Sequence, residues 1–182
     1  MPRKPDIRGV RTLAQTRLFH IEGVELVFSN GARREFERVN NGNSGAVMVL
    51  PLEDDEHLLM VREYAVGSEC NELGFVKGLN DPGESAEQAA IRDLKEDVGM
   101  GARDIKLVRT LRLTPHYNTA VGYTLLARGL YSDPQPGDEP EPLEIVRWPL
   151  ADLQALLDHP EINDVRTLHA IYWLRDFLNN TQ

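Results

Sequence analysis

Cysteine is nearly absent from this chain: Cys70 is the one cysteine in 182 residues. That excludes an internal disulfide and fits a reducing compartment. Cys70 has no motif partner and reads as a small, semi-apolar residue. No apolar run is long enough to span a bilayer, and the first residues lack a signal peptide's n-region and h-region. The expectation is a cytoplasmic protein with no membrane partner. Basic residues are in the minority, 20 Lys and Arg against 29 Asp and Glu, for a net charge of −9. Such a balance argues against a nucleic-acid backbone as the main partner. It leaves phosphate chemistry open, because a bound metal offsets repulsion between an acidic site and an anionic substrate. Histidine offers little: His20, His57, His159 and His169 show no metal-ligand spacing, and His116 has no Cys or Ser partner motif. Internal repeats and low-complexity segments are missing as well.

What is present is enough apolar material, 41% of residues, for one substantial domain with a small appendage. Residues 1–9, with Arg3, Lys4 and Arg8, read as a loose basic arm. Phe19–Glu22 and Val24–Phe28 suggest strands, Ser29-Asn30-Gly31 a hairpin turn, and Arg33–Val39 the return strand. This sheet has little core of its own, so its open face needs a cover. Val39–Ser44 is a polar break, which divides the chain into an N-terminal region, 1–44, and a main domain, 45–182. Gly45–Pro51 and His57–Arg62 read as buried strands joined by an acidic, solvated turn, Glu53–Glu56. Later strands are expected at Ile105–Thr114, Val121–Leu130 and Leu143–Trp148. Helices are expected from Pro149 to about Leu157 and over Ile162–Leu178. Strands and helices mixed without regular alternation indicate an α/β fold with a mixed sheet flanked by helices.

Gly78–Met100 concentrates the chemistry. Asp81-Pro82-Gly83 is turn chemistry, and Ser85 with Gln88 three residues later forms a capping box. The helix this predicts runs from Ser85 to about Val98, where Gly99 stops it. Ala86, Ala90, Leu94 and Val98 recur every four residues as the buried face. Asp93, Glu96 and Asp97 share the neighbouring face, with Arg92 pointing away. Three carboxylates so close repel unless a cation lies between them, and hard oxygen ligands suit Mg²⁺ or Mn²⁺. An acidic cluster can also be a solvated helix face.

The full spacing separates those readings. Gly78, five residues, Glu84, seven residues, Arg92-Asp93-Leu94, one residue, Glu96-Asp97, one residue and Gly99-Met100 resembles the Nudix box. That motif is a glycine, then Glu, then Arg-Glu-aliphatic-x-Glu-Glu-x-Gly-aliphatic at these intervals. Two of its glutamates are aspartates here, Asp93 and Asp97, which keeps the charge but shortens the reach by one methylene. Arg62–Gly67, Glu72–Phe75, Gly137–Pro142 and Val146–Leu150 extend the resemblance to the ADP-ribose pyrophosphatase branch of the Nudix hydrolases. Pro115, fifteen residues past the box, matches that branch, and Tyr117 sits near a tyrosine of dinucleoside polyphosphate hydrolases.

The resemblance implies an α/β/α sandwich with the box as loop-helix-loop, plus the small N-terminal antiparallel sheet. It implies Mg²⁺ or Mn²⁺ held by Asp93, Glu96 and Asp97, assisted by the Lys77 carbonyl and Glu84. Arg92 would orient the box carboxylates. Glu141, with Glu139 second, would complete the metal site or act as base, unless both merely stand in an exposed Pro-rich turn. Arg62 would contact a diphosphate, or else end its strand in a surface ion pair. Glu72 would contact adenosine or ribose; Tyr64, Phe75 and Tyr117 would stack on adenine or serve as core.

The implied reaction is metal-dependent hydrolysis of ADP-containing diphosphates such as ADP-ribose, NADH and diadenosine triphosphate. Two rivals are a Nudix hydrolase of a sugar nucleotide, coenzyme A or a dinucleoside tetraphosphate, and a Nudix module that binds ADP-ribose without cleaving it. The branch also implies a homodimer formed through the N-terminal sheet.

Overall fold

The computed structural model describes residues 3–42 and 45–180. It divides into two compact units, Met1–Gly45 with Leu111–Gly122, and Ala46–Thr110 with Tyr123–Gln182. The expected break at Val39–Ser44 falls partly outside the described residues, at Asn43 and Ser44.

The first unit is an antiparallel sheet of β1 (Asp6–Gln15), β2 (His20–Val27) and β3 (Arg33–Val39), in the order β1-β2-β3. The loose arm expected at residues 1–9 is corrected here: β1 already begins at Asp6, with Asp6 opposite Val27 and Ile7 opposite Leu26. Polar side chains mask this strand in the sequence, because the backbone ladder to β2 holds it, not a buried face. The β2–β3 turn closes as expected at Gly31, whose φ of +81° suits glycine. Residues 111–122 join this unit because Val39 N–H donates to the Tyr117 carbonyl at 2.8 Å and Thr119 N–H donates to the Val39 carbonyl at 3.1 Å. Ile7, Val10 and Phe36 remain exposed on the sheet.

The second unit holds β4 (Gly45–Pro51), β5 (His57–Ala65), β6 (Cys70–Gly74), β7 (Val76–Leu79), β8 (Met100–Arg112), β9 (Val121–Ser132) and β10 (Glu144–Pro149). They form two sheets, β7-β4-β9-β8 and β10-β5-β6. The helices are α1 (Ala86–Asp97), α2 (Leu153–Leu157) after a 3-10 turn at Leu150–Asp152, and α3 (Val165–Asn179). Alternation along β4 explains the layering. Met48 and Leu50 pack into a core with Leu156, Ile171 and Leu174 of α2 and α3, whereas Val47 and Val49 pack with Ala89, Ala90 and Leu94 of α1. A strand covered on both faces reads as an uninterrupted apolar run, which is how GAVMVLP appears. This is the α/β/α sandwich expected. α3 begins at Val165 and not Ile162, since Asp164 caps it by accepting from the Arg166 N–H. The acidic turn is solvated as expected, with Asp54, Asp55 and Glu56 exposed, and it is also paired: Arg147 binds Glu53, and Asp54 at 2.8 Å.

Candidate active site

α1 is framed at both ends. The Ser85 side chain accepts from the Gln88 N–H, and the Gln88 side chain accepts from the Ser85 N–H at 2.9 Å. Gly99, at φ +68°, takes the chain out of the helix after Val98. The buried face consists of Ala89, Ala90, Asp93 and Leu94, with Ala86 only half-buried. Asp93 thus belongs to the buried side, not to the flank where it was expected. Gly78 makes that possible: a Cβ at position 78 would overlap the Asp93 carboxylate.

The orientation expected for Arg92 is also corrected. Its guanidinium does not point away from the carboxylates but lies among them. Nη1 donates to Asp93 at 2.5 Å and Glu96 at 3.2 Å, Nη2 to Glu84 at 3.0 Å and the Leu79 carbonyl at 2.9 Å, and Nε to Glu84 at 3.2 Å. The arginine's length lets it fold back along α1, which a wheel of Cβ directions does not reveal. Arg92 holds the Glu84 carboxyl below its usual range. Glu84 also accepts from the Asp81 N–H at 3.0 Å, so it braces the loop as well.

Asp93 behaves differently because burial dominates. Its carboxyl is pushed up to about 6 despite Arg92, and its Oδ2 is buried without a hydrogen-bond donor. Asp97 is pushed up to about 7, first by burial and then by the charges of Asp93, Glu63, Glu139 and Glu96. The loop that carries Glu139 lies along the end of α1: Gln135 N–H donates to the Lys95 carbonyl at 3.1 Å, and Lys95 pairs with Asp133 at 2.8 Å. Partial desolvation and the charges of Glu63 and Asp138 push Glu139 up. An orphaned buried carboxylate oxygen beside an all-oxygen donor set fits a hard divalent cation.

The remaining expected residues are less uniform. Lys77 lies opposite Met48 in the β4–β7 ladder, and its ammonium is 3.8 Å from Asp164. Arg62 is committed to protein partners: its guanidinium binds Glu144, and Glu161 at 2.9 Å. Glu72, half-buried on β6, accepts from the Ser68 hydroxyl at 2.7 Å. Glu141 is exposed, as is Tyr117, which belongs to the first unit. Phe75 is fully buried in the core and has no free face for stacking, while Tyr64 is exposed.

Sequence reasoning passed over Glu63, on the extension of β5 beyond Arg62. Its signal is the register, which sets it directly opposite Glu72. It also passed over Glu53, Asp54 and His57, the one group among the described residues whose three potential ligand atoms lie within 4.8 Å of one another. Arg147 from β10 pairs with both carboxylates of that group and offsets one of their two charges.

Comparisons with known proteins agree with this geometry. Residues 5–38 match the NudE-type Nudix hydrolase N-terminal domain, and residues 42–169 match the NUDIX domain. The chain is 49% identical over 175 residues to the ADP compounds hydrolase NudE of Escherichia coli (strain K12), covering 96% of this chain and 94% of that protein. It is 26% identical to the ADP-ribose pyrophosphatase of Bacillus subtilis (strain 168), over 91% of this chain and 92% of that one. A crystal structure of an ADP compounds hydrolase superposes with a TM-score of 0.94 at 47% identity, covering 100% of this chain and 97% of the other. With the box in place on α1 and both parts of the chain matched, the protein belongs to the Nudix hydrolases, and its N-terminal region is of the NudE type.

Proposed function

We propose that the protein is a metal-dependent pyrophosphohydrolase of ADP-containing compounds, with ADP-ribose, NADH and diadenosine triphosphate as its substrate class. Water adds across the diphosphate, releasing AMP and a second phosphorylated product. The observation that carries this reading is the box itself: Glu84, Asp93 and Glu96 gathered on one arginine, with Asp97 one helical position further on.

Asp93, Glu96 and Asp97, with the Lys77 carbonyl, are the residues that would hold Mg²⁺ or Mn²⁺, and Glu84 braces the loop before them. When bound, the cations screen the diphosphate charge and acidify the attacking water. The chain supplies the rest. Arg92 fixes the box carboxylates in one arrangement, so that they need not reorganise as charge develops. Glu139 is preferred to Glu141 as the loop carboxylate that accepts the water's proton, because its charge reaches Asp97. Partial burial and the charges of Glu63 and Asp138 raise its proton affinity above that of a free carboxylate. Glu72 is assigned to the adenosine or ribose. Arg62, held by Glu144 through Nη1 and by Glu161 through Nε, would reach a diphosphate with its remaining N–H donors.

The exposed apolar residues of the N-terminal sheet support a homodimer through that region. A reducing, cytoplasmic location is consistent with exposed, unpaired Cys70.

The test is a panel of ADP-ribose, NADH, NAD⁺, diadenosine triphosphate and a sugar nucleotide with Mg²⁺ or Mn²⁺, following AMP by chromatography. Metal-dependent AMP release, abolished by Glu96→Gln, is expected. Tight ADP-ribose binding with no turnover of any compound would replace this reading with a binding module.

A further inference from the structure

β9 separates two surfaces of the second unit. Leu125 and Ala127 belong to the core under α1, whereas Leu126 packs with Ile171 and Leu174 of α3. Arg128 follows Leu126 on that second side, away from the box carboxylates. There it lines a cavity of about 320 Å³ together with Asp104, Lys106 and Val108 of β8 and Trp173 and Phe177 of α3. Asp104, Lys106 and Val108 are every second residue of β8, so one strand face supplies both the polar and the apolar wall.

The donors on these walls lack acceptors. The Arg128 guanidinium lies 5.1 Å over the Phe177 ring, and Phe177 stacks on Trp173 at 5.0 Å. Arg128 Nε is buried without a hydrogen-bond partner, and among the described residues Arg128 makes no ion pair. A buried donor left unmade costs its desolvation, and here the adjoining cavity is the space from which an acceptor can come. The Trp173 indole N–H also has no acceptor among the described residues, unlike that of Trp148, which donates to the Asp152 carbonyl at 3.1 Å. Lys106 is exposed and pairs with no carboxylate; Asp104, the one acid of the walls, pairs with neither cation. Two cations against one carboxylate leave one positive charge, which matches a monoanion.

We propose that this cavity binds a small organic carboxylate with a flat apolar body. Its charge meets Arg128 and Lys106, and its body lies against Val108, Leu126 and the Trp173–Phe177 pair. Arginine's planar fork suits a carboxylate, and the volume is at the lower end for small-molecule sites, enough for about one or two rings. The neighbouring cavity of about 540 Å³ shares Arg128 and Phe177, but Glu53, Asp54 and Asp55 wall it and repel an anion. None of these residues belongs to the hydrolytic machinery assigned above, so this site stands or falls apart from that reading.

The experiment is a titration of the ¹⁵N-labelled full chain with naphthoate, read from the indole N–H resonances of its two tryptophans. Trp173→Phe assigns them. The Trp173 resonance should shift to saturation, while that of Trp148, already bound to Asp152, should hold still. Arg128→Met keeps an apolar stem over Phe177 and should weaken binding about tenfold or more, as loss of a hydrogen bond to a charged group does. Arg128→Lys should recover part of that affinity, and Lys106→Gln should weaken binding by a few fold. Naphthylmethanol, the neutral analogue, and inorganic phosphate should each bind on the order of tenfold more weakly than naphthoate. A Trp173 resonance that stays put, or drifts without saturating, overturns the proposal. Equal naphthoate affinity in wild type and Arg128→Met also overturns it, as does equal binding of the neutral alcohol or of phosphate. If Arg128→Met loses the dispersed spectrum of a folded chain, Lys106→Gln and the neutral alcohol decide the same question.

Discussion

The Asp93 carboxylate rests against the Cα of Gly78, in space that any other side chain at 78 would fill. The first glycine of the box and its first helical acid are thus one packing unit. Gly78→Ala should displace Asp93 and cost about 1–3 kcal/mol of stability, as overpacking does. Urea unfolding measures the cost, and Mn²⁺ affinity should fall in parallel. A variant as stable as wild type that binds metal normally would break this link.

Arg92 is the cation shared by Glu84, Asp93 and Glu96. Arg92→Ala leaves the buried Asp93 charge uncompensated, so destabilisation of about 2–4 kcal/mol is expected. Arg92→Lys keeps the charge but loses the fork, since an ammonium cannot face three carboxylates in fixed geometry. It should recover stability in denaturation more fully than it recovers turnover.

The two loop acids make a direct contrast. Glu139→Gln should lower kcat by roughly a hundredfold or more, the range for loss of a positioned base. Glu141→Gln, on an exposed side chain, should change it by only a few fold. The reverse ranking would transfer the role to Glu141.

The pH dependence has a definite sign. Asp97 and Asp93 have folded values raised to about 7 and about 6 from 3.8. Raised carboxylates favour the folded state when protonated, so this contribution is lost as pH climbs from about 4 towards 7. The lowered groups Glu84 and Asp164 act in the opposite direction, but only at more acidic pH. His169, lowered by burial, opposes the trend near neutrality, so the comparison must be between variants. In chelator, the melting temperature of wild type relative to Asp97→Asn should fall between pH 5 and pH 8. A constant difference would show that Asp97 does not titrate there.

The exposed Ile7, Val10 and Phe36 give the proposed homodimer its test. Ile7→Asp with Val10→Asp should convert a dimer to a monomer in sedimentation velocity at micromolar concentration. An unchanged dimer would move the interface elsewhere.

Legibility in the sequence followed the range of the forces involved. The capping box, the Gly99 stop and the apolar run of β4 are local signals, and the strand and helix they specify stand where the residues indicate. β1 was hidden because a ladder to β2 needs no apolar pattern. The box carboxylates were legible as a spacing, but the fold of Arg92 back onto them depends on rotamers. Glu63 was invisible for a third reason: its neighbours, Asp97 and Glu139, lie far along the chain, and only the packed strands and loop bring their charges into range. For Phe75 the sequence leaves adenine stacking and core both open, and its full burial decides for core.

The frame around α1 has a consequence for how this chain tolerates insertions. With Ser85 and Gln88 locking the first turn and Gly99 the last, the helix cannot slide to absorb an added residue. One residue inserted after Gln88 would rotate every later position by about 100°, swinging Asp93 off Gly78 and turning the acids through more than a quarter circle. Insertions in the loop before β10 carry no such phase. Length variation is therefore tolerated less in the helix than in that loop, because the helix sets the angular order of Asp93, Glu96 and Asp97.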